Sequence, residues 1–369
     1  MKTVCVDARL FRISGIGTYL KNLMGVLQEA PLRWLVLVHK EQLASFKWRE
    51  GLEPIIVDSP VYSVREQVEL FLKIPKANLF WSPHYNIPLF PIRAKKRLVT
   101  IHDVLHLAFA HLLRPLEKAY AKIFLESAVR LSDRIITDSQ FSKREIEAYT
   151  SVKPGKLEVI PLGVDRTVFN SSTNGSELLE KYQIKTPFLL FVGHLKKHKN
   201  VDGLVETFEL LHQGGRRDLS LVVVGAQQGV VRRDNLLIER VYRDFPHLRE
   251  CLRFVGNVPD LDLPHFYRAA EAFVFPSLYE GFGFPPLEAM SCGCPTVVSD
   301  RGAMTEVCGE GAVYVDPLDP SHMAEVLEKL LKNSEMRRLL VQKGIARSEE
   351  FSWKKCADKH FEIIERLLV

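Results

Sequence analysis

The segment Phe188-Leu-Leu-Phe-Val-Gly-His-Leu-Lys-Lys-His-Lys-Asn200 carries the pattern that decides the fold. Its apolar run, Phe188 to Val192, predicts a buried strand, because strands of a parallel sheet that is covered on both faces are continuously hydrophobic. A polar loop follows, and an amphipathic stretch from Val201 to about His212 then predicts a helix that ends at Gly214-Gly215. The segment therefore indicates a strand–loop–helix unit of an α/β domain.

The same alternation of short apolar runs and amphipathic stretches extends over the whole chain. In the first half the predicted strands are Val4 to Ala8, Leu35 to His39, Leu79 to Ser82, Leu98 to Ile101, Arg134 to Asp138 and Leu157 to Ile160. In the second half they are Phe188 to Val192, Leu219 to Val224, Leu252 to Val255, Ala272 to Phe275, Thr296 to Val298 and Ala312 to Val315. Two such sets predict an α/β protein of two Rossmann-like lobes with parallel sheets.

A polar, turn-rich segment separates the two sets of strands. It contains Asn170-Ser-Ser-Thr-Asn-Gly175 and shows neither helical nor strand periodicity. We therefore predict an N-terminal lobe over residues 1–168, a C-terminal lobe over residues 186–350 and a terminal helix over residues 351–369. The sequence alone does not indicate the lobe on which the terminal helix packs.

The composition excludes several classes of protein. The chain has 369 residues, of which 46% are hydrophobic and 26% charged, which is typical of a soluble globular protein. Subtracting 45 acidic from 50 basic residues gives +5, spread along the chain, so no nucleic-acid partner is implied. No apolar run approaches the roughly 18 residues of a membrane span, and Asp7 and Arg9 interrupt the apolar N-terminus before a secretory signal develops. We expect a cytoplasmic protein with reduced, mostly buried cysteines.

The strongest chemical signal is Phe275-Pro-Ser-Leu-Tyr-Glu-Gly-Phe-Gly-Phe-Pro-Pro-Leu-Glu-Ala-Met290. A buried strand ends at Phe275, and Pro285-Pro286 is predicted to start a helix, where a missing N–H has no consequence. Gly281 and Gly283 allow the main chain of the loop to approach a ligand closely, and amides near the helix start can donate to its oxygens.

Two carboxylates, Glu280 and Glu288, bracket this loop. A carboxylate can accept paired hydrogen bonds from the vicinal hydroxyls of a ribose or a hexose. Alternatively, Glu280 is a solvated loop residue and Glu288 is a first-turn acid that the helix dipole favours. The combination of two Glu, two Gly and two Pro within nine residues favours the binding site.

A second signal is the basic loop that ends at Lys199. Asn200 is predicted to be the N-cap of the following helix, so Lys199 stands at a helix N-terminus, where amides and the dipole favour an anion. A diphosphate fits this place. The alternative is an ordinary solvated basic loop.

Other motifs have weaker or divided interpretations. His102-Asp103 follows a predicted strand at the sheet edge where active-site groups collect, although a histidine bonded to a main-chain carbonyl is an equal alternative. The loop Ser14-Gly15-Ile16-Gly17 is half of a dinucleotide fingerprint, but it lacks the third glycine. Asp260-Leu-Asp262 resembles a metal-binding carboxylate pair, yet Asp262 is more simply an N-cap. Ser142-Lys-Arg-Glu145 predicts a capping box for a helix running to Tyr149.

Together these segments resemble the retaining glycosyltransferases of family 4, whose GT-B fold has two Rossmann-like lobes around a cleft. Glu280 and Glu288 match the E-x7-E signature of that family. The resemblance covers nearly the whole chain and rests on Asp7, Ser14 to Gly17, Thr100-Ile-His-Asp103, Thr137-Asp-Ser-Gln-Phe-Ser-Lys143, Ile160-Pro-Leu-Gly-Val-Asp165, Gly193 to Asn200, Phe275-Pro-Ser277 and Met290-Ser-Cys-Gly-Cys-Pro-Thr-Val298.

The resemblance implies a role for each matching residue. Lys199 matches the lysine on the donor diphosphate, Glu288 the acid on the ribose, and His102 a histidine beside the donor sugar. The remaining matches are Glu280, Gly281 and the amides of Phe282, Gly283 and Phe284 for the donor sugar, Gly256 to Val258 for the base, and Gly15 and Gly17 for the loop facing the phosphates. His194 stands where many members have arginine, so Lys196 or Lys197 would have to supply the second diphosphate contact. Lys199, Glu280 and His102 are the expected catalytic residues.

The resemblance implies a retaining transferase that moves a hexose from a nucleotide sugar to a glycan or glycolipid acceptor, with GDP-mannose favoured over a UDP-hexose. Lys199 and helix N-termini can stabilise the departing diphosphate, so neither a metal nor a cofactor is expected. The alternatives are a GT-B epimerase and a binding module without turnover, which the change at His194 would explain. Residues 111–122 are expected to form an ordinary cover helix, with peripheral membrane contact as the alternative.

Overall fold

The computed structural model of the chain describes residues 1–11, 14–45, 52–172, 176–225 and 232–369. They form two compact units, one comprising Met1–Gly163 with Ser352–Val369 and the other Val164–Phe351. The first unit thus ends before residue 168, where the sequence analysis ended the N-terminal lobe, and it includes the terminal helix. Phe169 belongs to the second unit because its ring contacts Tyr267 and its carbonyl accepts a hydrogen bond from Ser291 Oγ at 2.6 Å. Residues 173–175 of the predicted linker lie outside the described residues.

Strands and helices alternate along both units. The strands are β1 Thr3–Asp7, β2 Arg33–Val38, β3 Leu52–Ile56, β4 Ala77–Ser82, β5 Ala94–Thr100, β6 Arg134–Thr137, β7 Leu157–Val159, β8 Phe188–Val192, β9 Ser220–Val224, β10 Leu252–Gly256, β11 Ala272–Phe275, β12 Thr296–Ser299 and β13 Val313–Val315. The helices are α1 Ser14–Leu27, α2 Val64–Lys73, α3 Leu105–Ala108, α4 Pro115–Leu131, α5 Gln140–Tyr149, α6 Ser176–Lys181, α7 Val201–Gln213, α8 Arg232–Asp244, α9 Leu263–Ala269, α10 Phe284–Ser291, α11 Met304–Cys308, α12 Pro320–Lys332, α13 Ser334–Ser348 and α14 Trp353–Leu368.

The first unit is built on a parallel sheet with the strand order β3-β2-β1-β4-β5-β6-β7. Every strand predicted for this half overlaps an observed one, but β3 was not predicted. It lies at the sheet edge, where Glu53 and Pro54 are exposed, and an edge strand tolerates both residues. Helix α2 covers one part of the sheet through Leu70, and helices α4 and α5 cover another through Leu125 and Ile146.

The second unit is built on a parallel sheet with the order β10-β9-β8-β11-β12-β13. Strands β8, β9, β11 and β12 are buried along their whole length, as the continuous apolar runs predicted. Since all pairings are parallel, the carboxyl ends of these strands meet at one edge of the sheet.

Of two predicted helix N-termini, the N-cap position of Asp262 is confirmed and the capping box at Ser142 is not. Helix α5 is capped by Ser139, whose Oγ accepts from the Ser142 amide at 3.0 Å, so the predicted capping box at Ser142 is wrong. The hydroxyl of Ser142 instead donates to the His102 carbonyl at 2.8 Å. Asp262 occupies the N-cap position of α9 but makes no capping hydrogen bond, because its carboxylate accepts from the Tyr182 hydroxyl at 2.7 Å.

The terminal helix α14 packs on α1, β4 and β5 of the first unit. Its buried face includes Trp353, Ile363 and Ile364. Among the described helices, none combines the length and the apolar character that crossing a bilayer requires. The six cysteines form no disulfide; five are buried, and Cys251 is half-buried.

Candidate active site

The candidate site of the second unit lies where the order of its strands reverses. From β8 the chain adds β9 and β10 on one side of the sheet, and β11, β12 and β13 follow on the other. Ligands of open α/β sheets bind at such a point, at the carboxyl ends of the strands. The loop after β8 carries Lys199 and the loop after β11 carries Glu280, so the topology brings together the two residues that the sequence analysis singled out.

Lys199 and Glu280 form an ion pair at this edge. The ammonium group donates to Oε1 of Glu280, and the Ser277 hydroxyl donates to the same oxygen at 2.7 Å. The side chains of the pair are only 16% and 13% exposed. The ammonium also lies 5.1 Å from the centroid of the Phe275 ring, which favours a cation electrostatically. Ser277, which the sequence analysis did not assign, thus fixes the carboxylate that holds the lysine.

Main-chain hydrogen bonds join the two loops. The His198 carbonyl accepts from the Leu278 amide at 2.7 Å, and the oxygen of the Ser277 hydroxyl, which donates to Glu280, lies 3.0 Å from the same carbonyl. Lys199 closes a 3-10 turn over Lys197–Lys199, and Asn200 follows at a φ of 55°. Asn200 is the N-cap residue of α7, but its side chain makes no capping bond; its amide donates to the Pro317 carbonyl at 2.6 Å. The prediction that Asn200 is the N-cap residue, with Lys199 just before the helix, is therefore confirmed, although no side-chain capping bond forms.

The backbone of Glu280 is held from the opposite side by Gly302. A Cβ atom at Gly302 would lie 2.7 Å from the Glu280 nitrogen, and the φ of this glycine is +66°. The neighbouring Ala303 amide donates to the Glu280 carbonyl at 3.0 Å. Only a glycine at this position lets the two segments approach so closely.

Helix α10 begins at Phe284, one residue before the predicted start at Pro285. Gly283 is its N-cap at a φ of 120°, and Gly281, Phe282 and Gly283 are buried. The amides from Phe282 to Phe284 therefore lie at a helix N-terminus, where the partial positive charge suits oxygen atoms of a ligand.

Glu288 lies one turn into α10 and has a different environment from Glu280. Its Oε2 accepts from the hydroxyl of Tyr267, on α9, at 3.0 Å. Burial raises the pKa of Glu288 to about 7 and the Asp260 charge adds to this effect, while the Tyr267 hydrogen bond opposes it. Tyr267 was not predicted, because a buried aromatic residue on a helix carries no local sign of a polar role. Glu288 can accept hydroxyl hydrogen bonds most strongly as a carboxylate, above about pH 7.

The remaining second-unit residues assigned to donor binding lie in or near the loops after β8 and β10. His194 lies at the surface. The partial loss of water around its imidazole and the positive charges of Lys196 and Lys199 lower the pKa of His194. An imidazole with a lowered pKa is neutral near pH 7, so His194 does not replace the charge of an arginine, whereas exposed Lys196 can. Gly256 ends β10 at a φ of 81°, with its carbonyl accepting from the Gly225 amide at 2.7 Å, and Val258 follows in the next loop.

The first unit holds the other predicted residues. Gly15 and Gly17 lie in the first turn of α1 and not in a loop, because the helix begins at Ser14. His102 follows β5; its Nδ1 lies 2.6 Å from Asp138 Oδ2 and its Nε2 lies 3.1 Å from the Pro83 carbonyl. Burial opposes the charged imidazole, but the Asp138 carboxylate outweighs burial and raises the pKa of His102. The sequence analysis offered two surroundings for His102, the sheet edge and a bond to a main-chain carbonyl. The structure has both, because His102 follows β5 and its Nε2 contacts the Pro83 carbonyl.

A buried ionic cluster occupies the strand-order reversal of the first unit, between β1 and β4. Arg9 Nη2 lies 2.6 Å from both Asp7 Oδ2 and Glu66 Oε1. Asn86 donates to Glu66 at 2.9 Å and accepts from the Tyr120 hydroxyl at 2.7 Å. The cluster joins the loops after β1 and β4 to α2 and α4. Glu66, Asn86 and Tyr120 were not singled out, since they are distant in sequence from Asp7 and Arg9.

Asp260 and Asp262, which resemble a metal-binding pair but for which the sequence favoured an N-cap at Asp262, have different surroundings. Asp260 is exposed, and Asp262 accepts from Tyr182 and, at 3.3 Å, from Lys181. Within the part of the chain that the structure describes, no group of three or more His, Cys, Asp and Glu residues is placed to hold a metal ion.

Both halves of the chain match families of known proteins. Residues 13–168 match the family described as Glycosyltransferase Family 4, and residues 176–347 match the family described as Glycosyl transferases group 1. The chain is 30% identical over 284 residues to the O-antigen chain mannosyltransferase B of Escherichia coli, which covers 76% of this chain and 72% of that protein. It is 31% identical over 243 residues to the serotype-specific mannosyltransferase WbdA of Escherichia coli. That alignment covers 64% of this chain but only 29% of WbdA.

The fold is also that of solved structures. Anabaena Alr3699/HepE in complex with UDP-glucose matches with a TM-score of 0.82 over 99% of this chain and 100% of that chain, at 16% sequence identity. The predicted α/β GT-B architecture of two Rossmann-like domains is therefore confirmed.

The raised pKa of Glu288 predicts a pH dependence of stability. Between the pH values of about 4.5 and 7 the folded protein binds more protons at this residue than the unfolded chain, so the free energy of unfolding falls as the pH rises. Glu288→Gln should remove up to about 3 kcal/mol of that decline. Urea unfolding at pH 5, 6, 7 and 8 measures it, with Glu325→Gln on an exposed face of α12 as the control. Parallel pH profiles for the wild type and Glu288→Gln would contradict the assignment.

Proposed function

The chain belongs to glycosyltransferase family 4, and from that membership we propose that it is a retaining, metal-independent transferase of a hexose. The proposed donor is a nucleotide sugar, with GDP-mannose favoured and a UDP-hexose next. The proposed acceptor is a glycan or a lipid-linked glycan in the synthesis of a cell-surface polysaccharide.

The observation that carries the proposal is the Lys199 ammonium group held at the strand-order reversal. Cleavage of the bond between sugar and nucleoside diphosphate develops negative charge on the diphosphate. An ammonium group that is largely withdrawn from water and held between Glu280 and the Phe275 ring compensates that charge with little reorganisation. The amides at the start of α10 supply further positive potential at the same sheet edge.

Metal independence follows in this proposal from the same positive charge. Lys199 and the helix N-termini do for the diphosphate what a divalent cation does in other transferases. The state of Asp262 agrees with this, because its carboxylate already accepts hydrogen bonds from Tyr182 and Lys181.

Retention of configuration is proposed from the family membership, and the state of Glu280 bears on the route by which it would occur. A carboxylate that shares one oxygen between Lys199 and Ser277 is a weak nucleophile, so a covalent sugar–Glu280 intermediate is disfavoured. We infer that the acceptor hydroxyl attacks the face from which the diphosphate leaves, with His102 beside the donor sugar. Glu280 then binds sugar hydroxyls and positions Lys199.

The preference for GDP-mannose rests on the relatives at about 30% identity, which are named as mannosyltransferases. The HepE structure holds UDP-glucose but shares only 16% identity, so it supports the fold and not the donor. The competing function is a binding module without turnover. It is favoured by His194, which stands where many members of the family have arginine.

A donor panel tests this function. We expect GDP-mannose to raise the melting temperature more than UDP-glucose, and GDP release to require a glycan acceptor and to persist in EDTA. Release of an isomerised nucleotide sugar without any acceptor would instead identify an epimerase, and binding without turnover a degenerate module. A strict requirement for Mn²⁺ would contradict metal independence, and an inverted anomeric configuration in the product would contradict retention.

Lys199→Ala should lower kcat by about 10²- to 10³-fold, because it removes the cation that stabilises the departing diphosphate. Lys199→Arg keeps a charge and should retain more activity, so it separates charge from packing. Lys185→Ala, in the same unit but outside the site, is the control. Turnover of Lys199→Ala at the wild-type level would refute the role of this lysine.

We further propose that the first unit contacts an anionic bilayer through the outer face of α4. The inner face of this helix packs on the core through residues such as Phe124 and Leu125, as expected of a cover helix. On the outer face Leu116 is 86% exposed and Ile123 is 55% exposed, and exposed Lys122 lies on one flank of that face. Exposed apolar residues with a lysine on their flank suit the interface of a bilayer with negative headgroups.

Vesicle sedimentation tests this contact. The wild type should bind vesicles that contain phosphatidylglycerol more tightly than phosphatidylcholine vesicles, and added salt should weaken the binding. The double variant Leu116→Ser/Ile123→Ser should bind several-fold more weakly, whereas Leu261→Ser, at an exposed apolar residue of the second unit, should not. Equal binding of the double variant and the wild type would contradict the contact.

A further inference from the structure

A buried hydrogen-bonded chain runs from α14 to the sheet of the first unit. His360 Nε2 lies 2.7 Å from the Tyr19 hydroxyl, which in turn lies 2.9 Å from Thr100 Oγ1. The indole nitrogen of Trp81 donates to the same Thr100 oxygen at 3.1 Å. These four side chains come from α14, α1, β5 and β4, and all are essentially inaccessible to water. None of them has a part in the function proposed above.

The chemistry of the groups fixes the direction of each hydrogen bond. His360 Nδ1 lies 2.7 Å from the Cys356 carbonyl, which can only accept, so Nδ1 carries the proton. Burial lowers the pKa of His360 to about 4, so the ring is neutral near pH 7 and Nε2 accepts from the Tyr19 hydroxyl. The Thr100 hydroxyl then donates to Tyr19, and the indole N–H of Trp81, which can only donate, completes the chain.

The ring of Tyr19 connects this chain to His102. The centroids of the two rings are 4.8 Å apart and their planes meet at 84°, an edge-to-face contact. The His102 ring is otherwise bonded to Asp138 and Pro83, so Tyr19 packs against a side chain that two hydrogen bonds already orient. Because His360 and Thr100 hold the far end of the tyrosine, the ring cannot move away from His102 without breaking buried hydrogen bonds.

We propose that Tyr19 and His360 are positioning residues for His102. Helix α14 holds the Tyr19 hydroxyl, and the Tyr19 ring holds the imidazole in the orientation that transfer requires. The inference rests on the proposed role of His102 beside the donor sugar. It adds that α14 contributes to the chemical step through His360, which acts on His102 by way of Tyr19 of α1.

A merely structural role would predict a different result from a positioning role. Loss of a buried hydroxyl lowers stability in either case, since its partners are left unsatisfied. Only a positioning role predicts that the loss of kcat depends on the presence of His102. A double-mutant cycle between Tyr19 and His102 measures this dependence directly.

Tyr19→Phe keeps the ring but removes its tether. We expect kcat to fall about tenfold with the donor KM changed by less than about twofold, because the substitution leaves Lys199, Glu288 and the amides at the start of α10 unchanged. In a His102→Ala background the same substitution should change kcat by less than about twofold. Trp34→Phe, at a buried tryptophan of the first unit outside the chain, controls for a general loss of stability.

Substitutions at His360 give an independent test should Tyr19→Phe fail to fold. His360→Gln retains a side-chain acceptor and should keep most of kcat, whereas His360→Phe cannot accept a hydrogen bond and should match Tyr19→Phe. Equal kcat for the two His360 variants, or additive effects of Tyr19→Phe and His102→Ala, would overturn the inference while the proposed function stands. Wild-type turnover in His102→Ala would instead refute the role of His102 itself, and the inference with it.

Discussion

The ion pair between Lys199 and Glu280 is the interaction on which the second unit depends. It joins the loops that follow β8 and β11, which are adjacent strands only because the strand order reverses between them. Glu280 in turn is fixed by Ser277 and by the close approach of Gly302. Cation and carboxylate thus neutralise each other at an edge where a polyanion is expected to bind. A donor diphosphate must therefore share the ammonium group with Glu280, which ties its position to that of the carboxylate and of any sugar hydroxyl bound there.

The two glutamates of the E-x7-E signature are chemically distinct because their environments differ. Glu280 is paired with a cation, whereas Glu288 lies one turn into α10 with a tyrosine hydroxyl as its donor. Burial therefore raises the pKa of Glu288 to about 7. Unequal surroundings commonly give two carboxylates in one site different functions. In this protein the Glu280 carboxylate positions Lys199, whereas the strength of Glu288 as a hydrogen-bond acceptor depends on pH.

The sequence predicted those features that local patterns encode. Continuous apolar runs identified the buried strands, and local patterns around Lys199, Glu280 and Glu288 predicted the candidate site at the sheet edge of the second unit. Strand β3 escaped because an edge strand with Glu53 and Pro54 lacks an apolar run. Asn200 and Asp262 are the N-cap residues that the sequence predicted, but their side chains bond Pro317 and Tyr182 and not the helix, which only the folded chain could show. Tyr267 gave no local signal, and Ser277 and Asp138 received no role although they lie in segments that carry the resemblance, since each acquires its role from a residue that only the folded chain brings near.

The most distant of these contacts has the widest consequence. Tyr19 and His360 are 341 positions apart, and the whole second unit lies between them in sequence. The packing around His102 is therefore complete only when α14 has returned to the first unit. Closing such a long loop costs conformational entropy, and the helix propensity of α14 alone cannot offset that cost. By contrast, the Lys199–Glu280 pair forms within one continuous segment of chain. The two halves of the proposed chemistry thus depend on different folding events, so damage to α14 is expected to impair the chemical step while the grip on the diphosphate persists.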